Sequence, residues 1–305
     1  MTARVDWNVL SDSENVRHRA IELRAIVAER IYLTPFQTRT GAAQFLRSPR
    51  TIWRRRAIDK AELFLGRELA GTVLEIGAGT AWCSALVSLK SRVRKVFALD
   101  YDRVSVDEIM PKCFENLDAD VGKITRALGS FNATKLADDS VDAVISIGAV
   151  HHSESLASTF KEALRILRPG GILVASEPCE PDSLKNAERQ AIENKQIDPE
   201  HAKKLYGEDI GEVREADNSD HNYRLVDYIS SALGAGFDIF PYTFQYSDPI
   251  ADKDAVPEAS FDRFFVERIC YDGFKKIVLP PYFAQGYPDK NVLFDPLLLI
   301  LQKPS

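Results

Sequence analysis

Residues 73–85 read VLEIGAGTAWCSA: an apolar run that carries Glu75 near its end, then Gly77 and Gly79 in alternation, then a segment with helical composition. Glycine has no Cβ and tolerates positive φ, so a strand that ends in Gly-x-Gly before a helix lets a ligand approach the main chain and the free N–H groups of the helix start. Glycines in such a turn can also serve packing alone, so the neighbouring residues decide. A dinucleotide fingerprint asks for a third glycine at position 82, where this chain has Trp82, which weakens the case for a pyrophosphate. Glu75 is unfavourable beside an anion and favourable beside a cation. The next apolar run, VRKVFALD over 93–100, closes on Asp100, about 20 residues past the glycines, where a carboxylate can accept from both hydroxyls of a ribose. Together these features point to a nucleoside with a positively charged tail.

From residue 72 onward, short apolar runs alternate with helix-length segments, the pattern of a parallel sheet with crossover helices. The predicted strands are 72–76, 93–100, 124–131, 142–148 and 172–178, and all are apolar nearly throughout, as strands covered on both faces should be. Ser153 is the expected cap of a helix carrying Leu156, Phe160, Leu164 and Leu167, and Pro169-Gly170-Gly171 is expected to end it. A charged insertion near 180–222 follows. Then come a helix in RLVDYISSALGAGF, a strand in FDIFPYTFQYS and a final strand in VLFDPLLLILQK, with a second, aromatic-rich insertion near 248–290. Residues 1–70 read as a helical cap on a domain spanning 71–305. Ser11 and Glu14 fit a capping box for a helix over about 12–32. Pro35 and Gly41 suggest a linker, and Ser48-Pro49 opens a second helix with an apolar stripe of Ile52, Ala57, Ala61, Leu65 and Leu69.

The chain has 305 residues and is 45% hydrophobic, enough for one elaborated α/β domain with a sizeable core. A net charge of −6 argues against a general nucleic-acid binder, since phosphate neutralisation needs a basic surface. No apolar run approaches the roughly 18 residues of a membrane span, and the first residues lack the apolar centre of a signal peptide, so the expectation is a cytoplasmic protein without membrane insertion. Cys83, Cys113, Cys179 and Cys270 lie far apart without metal-ligand spacing, which fits reduced thiols and no structural metal.

At the level of motifs, the chain resembles the class I S-adenosylmethionine-dependent methyltransferases, closely over about 71–178. The resemblance rests on VLEIGAGTA, FALDYD, SVDAVISIGAVHH and LRILRPGGILVASEP in order and spacing. It implies a Rossmann-like seven-stranded sheet of order 3-2-1-4-5-7-6 with strand 7 antiparallel, and S-adenosylmethionine as cofactor. It further implies that Glu75, Gly77 and Gly79 meet the methionine portion, Asp100 the ribose, and Tyr101 the adenine. Ser130 and Phe131 would flank the adenine ring, and Ala149 would lie near the sulfonium. Where the family often carries an Asp for the adenine amine, this chain has Ser130 in GSFNA.

Methyl transfer from a sulfonium is an in-line displacement in which alignment supplies much of the rate, and a base is needed when the acceptor must lose a proton, as an alcohol does. His152, with His151 before it, follows the fourth predicted strand on the ligand side of the sheet. Such a pair also commonly caps or packs, and adjacent residues make a poor metal chelate. His221, in the polar loop DNSDHNY, and Glu177, near the end of the fifth strand, compete with His152 for the role of base. Arg50, Arg54, Arg55, Arg56 and Lys60 form a basic run, read as a solvated face or as a contact for a phosphate-bearing or glycan substrate. Phe261, Phe264, Phe265, Tyr271, Phe274, Tyr282, Phe283 and Tyr287 in the second insertion could line an apolar pocket, or simply pack the insertion itself. The expected activity is O-methylation of a small molecule or a glycan. A nicotinamide-dependent oxidoreductase, a non-catalytic S-adenosylmethionine-binding module and a metal-assisted variant are the rivals.

Overall fold

The computed structural model describes residues 2–7, 35–180, 185–196, 198, 221, 223–240, 243–244 and 297–305. The expected helix at 12–32 and the aromatic-rich insertion at 248–290 lie outside these residues, as do residues 199–220 of the first insertion. Nine strands form one sheet: β1 (Ala3–Asp6), β2 (Gly71–Ile76), β3 (Val93–Asp100), β4 (Ile124–Leu128), β5 (Val141–Ile147), β6 (Leu167–Glu177), β7 (Asp238–Ile239), β8 (Thr243–Phe244) and β9 (Leu297–Gln302). Their order is β1-β4-β3-β2-β5-β6-β9-β7, with β8 also pairing with β9. From β4 to β7 this is the expected 3-2-1-4-5-7-6 order, and β9 runs antiparallel to β6.

Helices cover both faces. One face carries α1 (Arg39–Arg47), α2 (Pro49–Leu65), α3 (Trp82–Ser88) and α4 (Met110–Asn116), which meet the sheet through residues such as Ala61, Trp82, Phe114 and Val96. The other carries α5 (Leu156–Ile166) and α7 (Leu225–Ala235), where Phe160, Tyr228 and Ile229 meet Leu74, Leu99 and Leu173. In β9 the period of two is explicit: Leu297, Leu299 and Leu301 join the α5 face, while Leu298 and Ile300 join the α2 face. A short helix, α6 (Asn186–Glu193), belongs to the first insertion. No described helix is long and apolar enough to cross a membrane.

Five expectations need correction. Residues 3–6 do not extend a helical preface; they add β1 to the outer edge of the sheet, parallel to β4, held there by Arg4 donating to Asp107 at 2.6 Å and by Trp7 N–H donating to Leu128. Four residues give no periodicity to read, and the partner strand lies more than 100 positions away. The supposed linker after Pro35 contains α1, capped by Thr38, whose hydroxyl accepts from Gly41 N–H. Helix α5 is capped by Ser155 rather than Ser153, and Pro169-Gly170-Gly171 is absorbed as an irregularity within β6 instead of lying in a loop. The penultimate strand is two short pieces, β7 and β8, and the sequence places Pro241, which has no N–H for a ladder, between them. The reading of Ser48-Pro49 matches the structure: the Ser48 hydroxyl accepts from Thr51 N–H and Pro49 opens α2, which ends at Gly66 in the left-handed conformation.

Candidate active site

The turn after β2 places three positive-φ residues in alternation, Gly77 (58°), Gly79 (53°) and Ala81 (58°), and it is closed by Ala78 N–H donating to the Leu99 carbonyl and Ala81 N–H to the Ala78 carbonyl. A Cβ on Gly77 would overlap that of Ala149, which is why only glycine serves there. Ala81 caps α3 without a side-chain hydrogen bond, and Glu75 compensates from below: its carboxylate accepts from both the N–H and the hydroxyl of Ser84 in the first turn of α3. Trp82 is buried edge-on to Phe45, their ring centroids 6.3 Å apart. A bulky apolar residue therefore occupies the place of the third fingerprint glycine and packs α3 against α1.

Asp100 closes β3 beside this turn. Its carboxylate accepts from Gly79 N–H at 2.6 Å and from Asp102 N–H at 2.9 Å. Both acids are nearly sealed from solvent, and burial is the main cause that lifts Glu75 to about 7 and Asp100 to about 6. The Asp102 carboxylate, which accepts from Val104 and Ser105, adds a like-charge contribution to Asp100. The rim therefore holds two carboxylates whose ionisation is suppressed chiefly by burial, with a smaller like-charge contribution from Asp100 on Glu75 and from Asp102 on Asp100.

The loop after β4 adjoins the same rim, because Gly129 N–H donates to the Asp100 carbonyl. Ser130 is buried, and its hydroxyl accepts from Asn132 N–H at 3.2 Å. Phe131 is packed into the core, while Tyr101 is half-buried at the exit of β3. Trp7, just past β1, rests against Gly129 and faces Phe97 with ring centroids 5.9 Å apart. The sequence reading did not single out Trp7, and no local pattern could have, since its neighbours are more than 80 residues away.

The turn after β5 is organised by Glu177, which is 1% exposed. Its carboxylate accepts from the Ser146 hydroxyl, the N–H groups of Ala149, Val150 and His151, and His151 Nδ1 at 2.8 Å. Burial alone would raise this acid, yet the His151 contact and the other donors hold it below its ordinary value. His151 lies against His152 with ring centroids 3.9 Å apart. His221 reaches the same place from the first insertion, its N–H donating to the His151 carbonyl and its ring 5.5 Å from that of Tyr223. Tyr223 in turn donates to the Ser153 carbonyl at 2.6 Å. The adjacent His151 and His152 and the distant His221 thus meet just after Ala149.

Among the basic run, Arg54 extends from α2 over this turn. Its Nη2 lies 3.0 Å from where a Cβ would stand on Gly148. Among the described residues, no cluster of three or more His, Cys, Asp or Glu has the geometry to hold a metal ion.

Residues 74–175 match the family described as a methyltransferase domain. The chain is 27% identical over 136 residues to the sterol 24-C-methyltransferase of Aspergillus fumigatus, covering 44% of this chain and 31% of that one. It is 30% identical over 148 residues to the dimethylglycine N-methyltransferase of Parasynechococcus marenigrum, covering 46% and 51% respectively. The matched part thus spans about half or less of these curated relatives. A solved structure from Galdieria sulphuraria, described as a candidate sarcosine dimethylglycine methyltransferase, agrees with a TM-score of 0.53 at 17% identity over 83% of this chain and 84% of that one. At that identity the likeness shows the fold alone. The match over 74–175 and the fold around it identify this region as a class I S-adenosylmethionine-dependent methyltransferase domain.

Proposed function

We propose that this protein transfers a methyl group from S-adenosylmethionine to a small-molecule or glycan acceptor, at a hydroxyl. The observation that carries the cofactor reading is the pair of buried carboxylates, Glu75 and Asp100, beside a turn in which Gly77, Gly79 and Ala81 all take positive φ. Glu75, Gly77 and Gly79 would hold the methionine portion, Asp100 the ribose, and Tyr101, Ser130 and Phe131 the adenine, with Ala149 beside the sulfur. When bound, the cofactor supplies a methyl on a sulfonium, already attached to a good leaving group. What remains for the chain is to align the acceptor, exclude water and, for a hydroxyl, accept its proton.

The histidine cluster supports a hydroxyl acceptor. His152 and His221 are half-buried beside the turn after β5, whereas Glu177 has its carboxylate committed to five donors. In this reading Glu177 is a positioning residue: it shapes the turn that carries Ala149 and orients His151. The relatives named for a sterol carbon and for dimethylglycine nitrogen differ in acceptor atom, so an acceptor panel must include both chemistries.

The test begins with calorimetric titration. Micromolar binding of S-adenosylmethionine and S-adenosylhomocysteine without binding of NADH is expected, and Asp100→Ala should weaken both by at least about tenfold, the loss of hydrogen bonds to a charged group. Binding of NADH, or parent-like affinity in both Glu75→Ala and Asp100→Ala, would overturn the reading. Methyl release with a panel of alcohols, sugars, sterols and amines then separates an enzyme from a binding module. An unchanged kcat in His221→Ala on the acceptor so found removes His221 as base.

A further inference from the structure

Strand β1 lies outside the segment 74–175 that matches the methyltransferase domain, yet it is fastened to both loops that the cofactor reading gives to the nucleoside. A strand of four residues at a sheet edge has little to hold it against fraying, and this one is tied at each end. At the first end Arg4 donates to both oxygens of Asp107, at 2.6 and 3.3 Å. Arg4 and Arg126 are register partners on β1 and β4, so two like charges face each other, and Asp107 serves both, 3.8 Å from the Arg126 guanidinium. Asp107 belongs to a single π-helical turn, Ser105–Ile109, whose first N–H donates to Asp102, and Asp102 N–H in turn donates to Asp100. At the other end Trp7 N–H donates to the Leu128 carbonyl at 2.8 Å, and the indole is buried beside Phe97. A Cβ on Gly129 would stand 3.0 Å from that of Trp7, so glycine there is what lets the tryptophan lie against the main chain one residue before Ser130.

We infer that Trp7 and Arg4 are positioning residues for the nucleoside half of the cofactor, an inference that rests on the S-adenosylmethionine reading above. Both act through the main chain. Arg4 holds the segment 100–107, which carries Asp100 and Tyr101, and Trp7 holds the segment 128–131, which carries Ser130 and Phe131. The two segments meet where Gly129 N–H donates to the Asp100 carbonyl, and β1 spans the pair. A rim fixed before the ligand arrives lowers the ordering cost of binding, so docking of β1 favours the nucleoside. By reciprocity a bound nucleoside favours docking of β1 by the same factor. A strand that merely closed the sheet edge would stabilise the fold without responding to the ligand.

The experiment uses the full chain with S-adenosylhomocysteine and with methylthioadenosine, which keeps the nucleoside and the sulfur and lacks the amino-acid tail. Hydrogen exchange at the amides of residues 3–7 should slow about tenfold when S-adenosylhomocysteine saturates the parent protein, a usual size for coupling between two sites. In calorimetric titration Trp7→Ala should weaken both ligands by that same factor of about ten, because the defect lies at the nucleoside end, and Trp7→Phe should recover most of it. Arg4→Gln removes a partly exposed ion pair and should cost about threefold or less. Exchange at residues 3–7 that ignores the bound ligand overturns the inference, and this measurement on the parent decides the matter even where Trp7→Ala fails to fold. Parent-like affinity in a folded Trp7→Ala overturns it too, as does a loss confined to S-adenosylhomocysteine. Tight binding with unchanged exchange leaves the cofactor reading standing and removes this inference alone, whereas no binding of S-adenosylhomocysteine by the parent removes both.

Discussion

Glu75 and Glu177 end the two strands that flank β5, both are almost fully buried, and their carboxyls sit on opposite sides of the ordinary range. Glu75 is lifted to about 7 by burial, while Glu177 is held low despite burial. Burial is common to both, so it does not separate them; the donors do. Glu177 receives three backbone N–H groups, a hydroxyl and an imidazole, a complete shell built by the protein itself. Glu75 receives only the two donors of Ser84, and nearby Asp100 adds a like charge. A carboxylate that the chain has satisfied is framework, and one it has left wanting is a place for a ligand.

The largest effect should come from the satisfied acid. Glu177→Ala strands His151, Ser146 and three N–H groups in the interior, and urea unfolding should show a loss of about 3–5 kcal/mol. A loss below about 1 kcal/mol would erase the contrast between the two acids. Glu75 should behave in the opposite sense. Its native value lies above the unfolded one, so the folded state keeps its proton longer, and stability declines as pH rises from about 4.5 through 7. Over that window the protein without cofactor should lose roughly 3 kcal/mol more than Glu75→Gln, which has no proton to give up. A parallel pH dependence in the two proteins would show that Glu75 ionises as freely as an exposed acid. The smallest of the three effects belongs to the turn. Gly77→Ala adds a methyl against Ala149 at positive φ, and a cost of about 2 kcal/mol with weakened cofactor binding is expected in the same unfolding and titration measurements. Unchanged binding in that variant would detach Gly77 from the site.

Much of this site was legible before the structure because its chemistry is local. The glycine turn, the acids Glu75 and Asp100, the Ser48-Pro49 cap and the parallel strand pattern are each written within a few to about twenty residues, a range in which backbone φ, capping and hydrophobic period decide the outcome. The cap of α5 is Ser155, whose hydroxyl accepts from Ser158 N–H, because the Ser153 hydroxyl is taken by Ser155 N–H and the Thr159 hydroxyl, and Pro169-Gly170-Gly171 entered β6 because sheet pairing with β5 overrode its turn preference.

What the sequence by itself determined is the class of sheet, the order of its central strands and a glycine turn flanked by Glu75 and Asp100. Only the tertiary structure decided that residues 3–6 would join the sheet beside β4, that Trp7 would lie against Gly129, that Glu177 would be spent on the turn after β5, and that Arg54 would cover Gly148. The physical reason is the same in each case: these contacts join residues from about thirty to more than a hundred positions apart, and whether an acid is satisfied or an arginine reaches a site depends on how separate elements pack, which no short window of sequence contains.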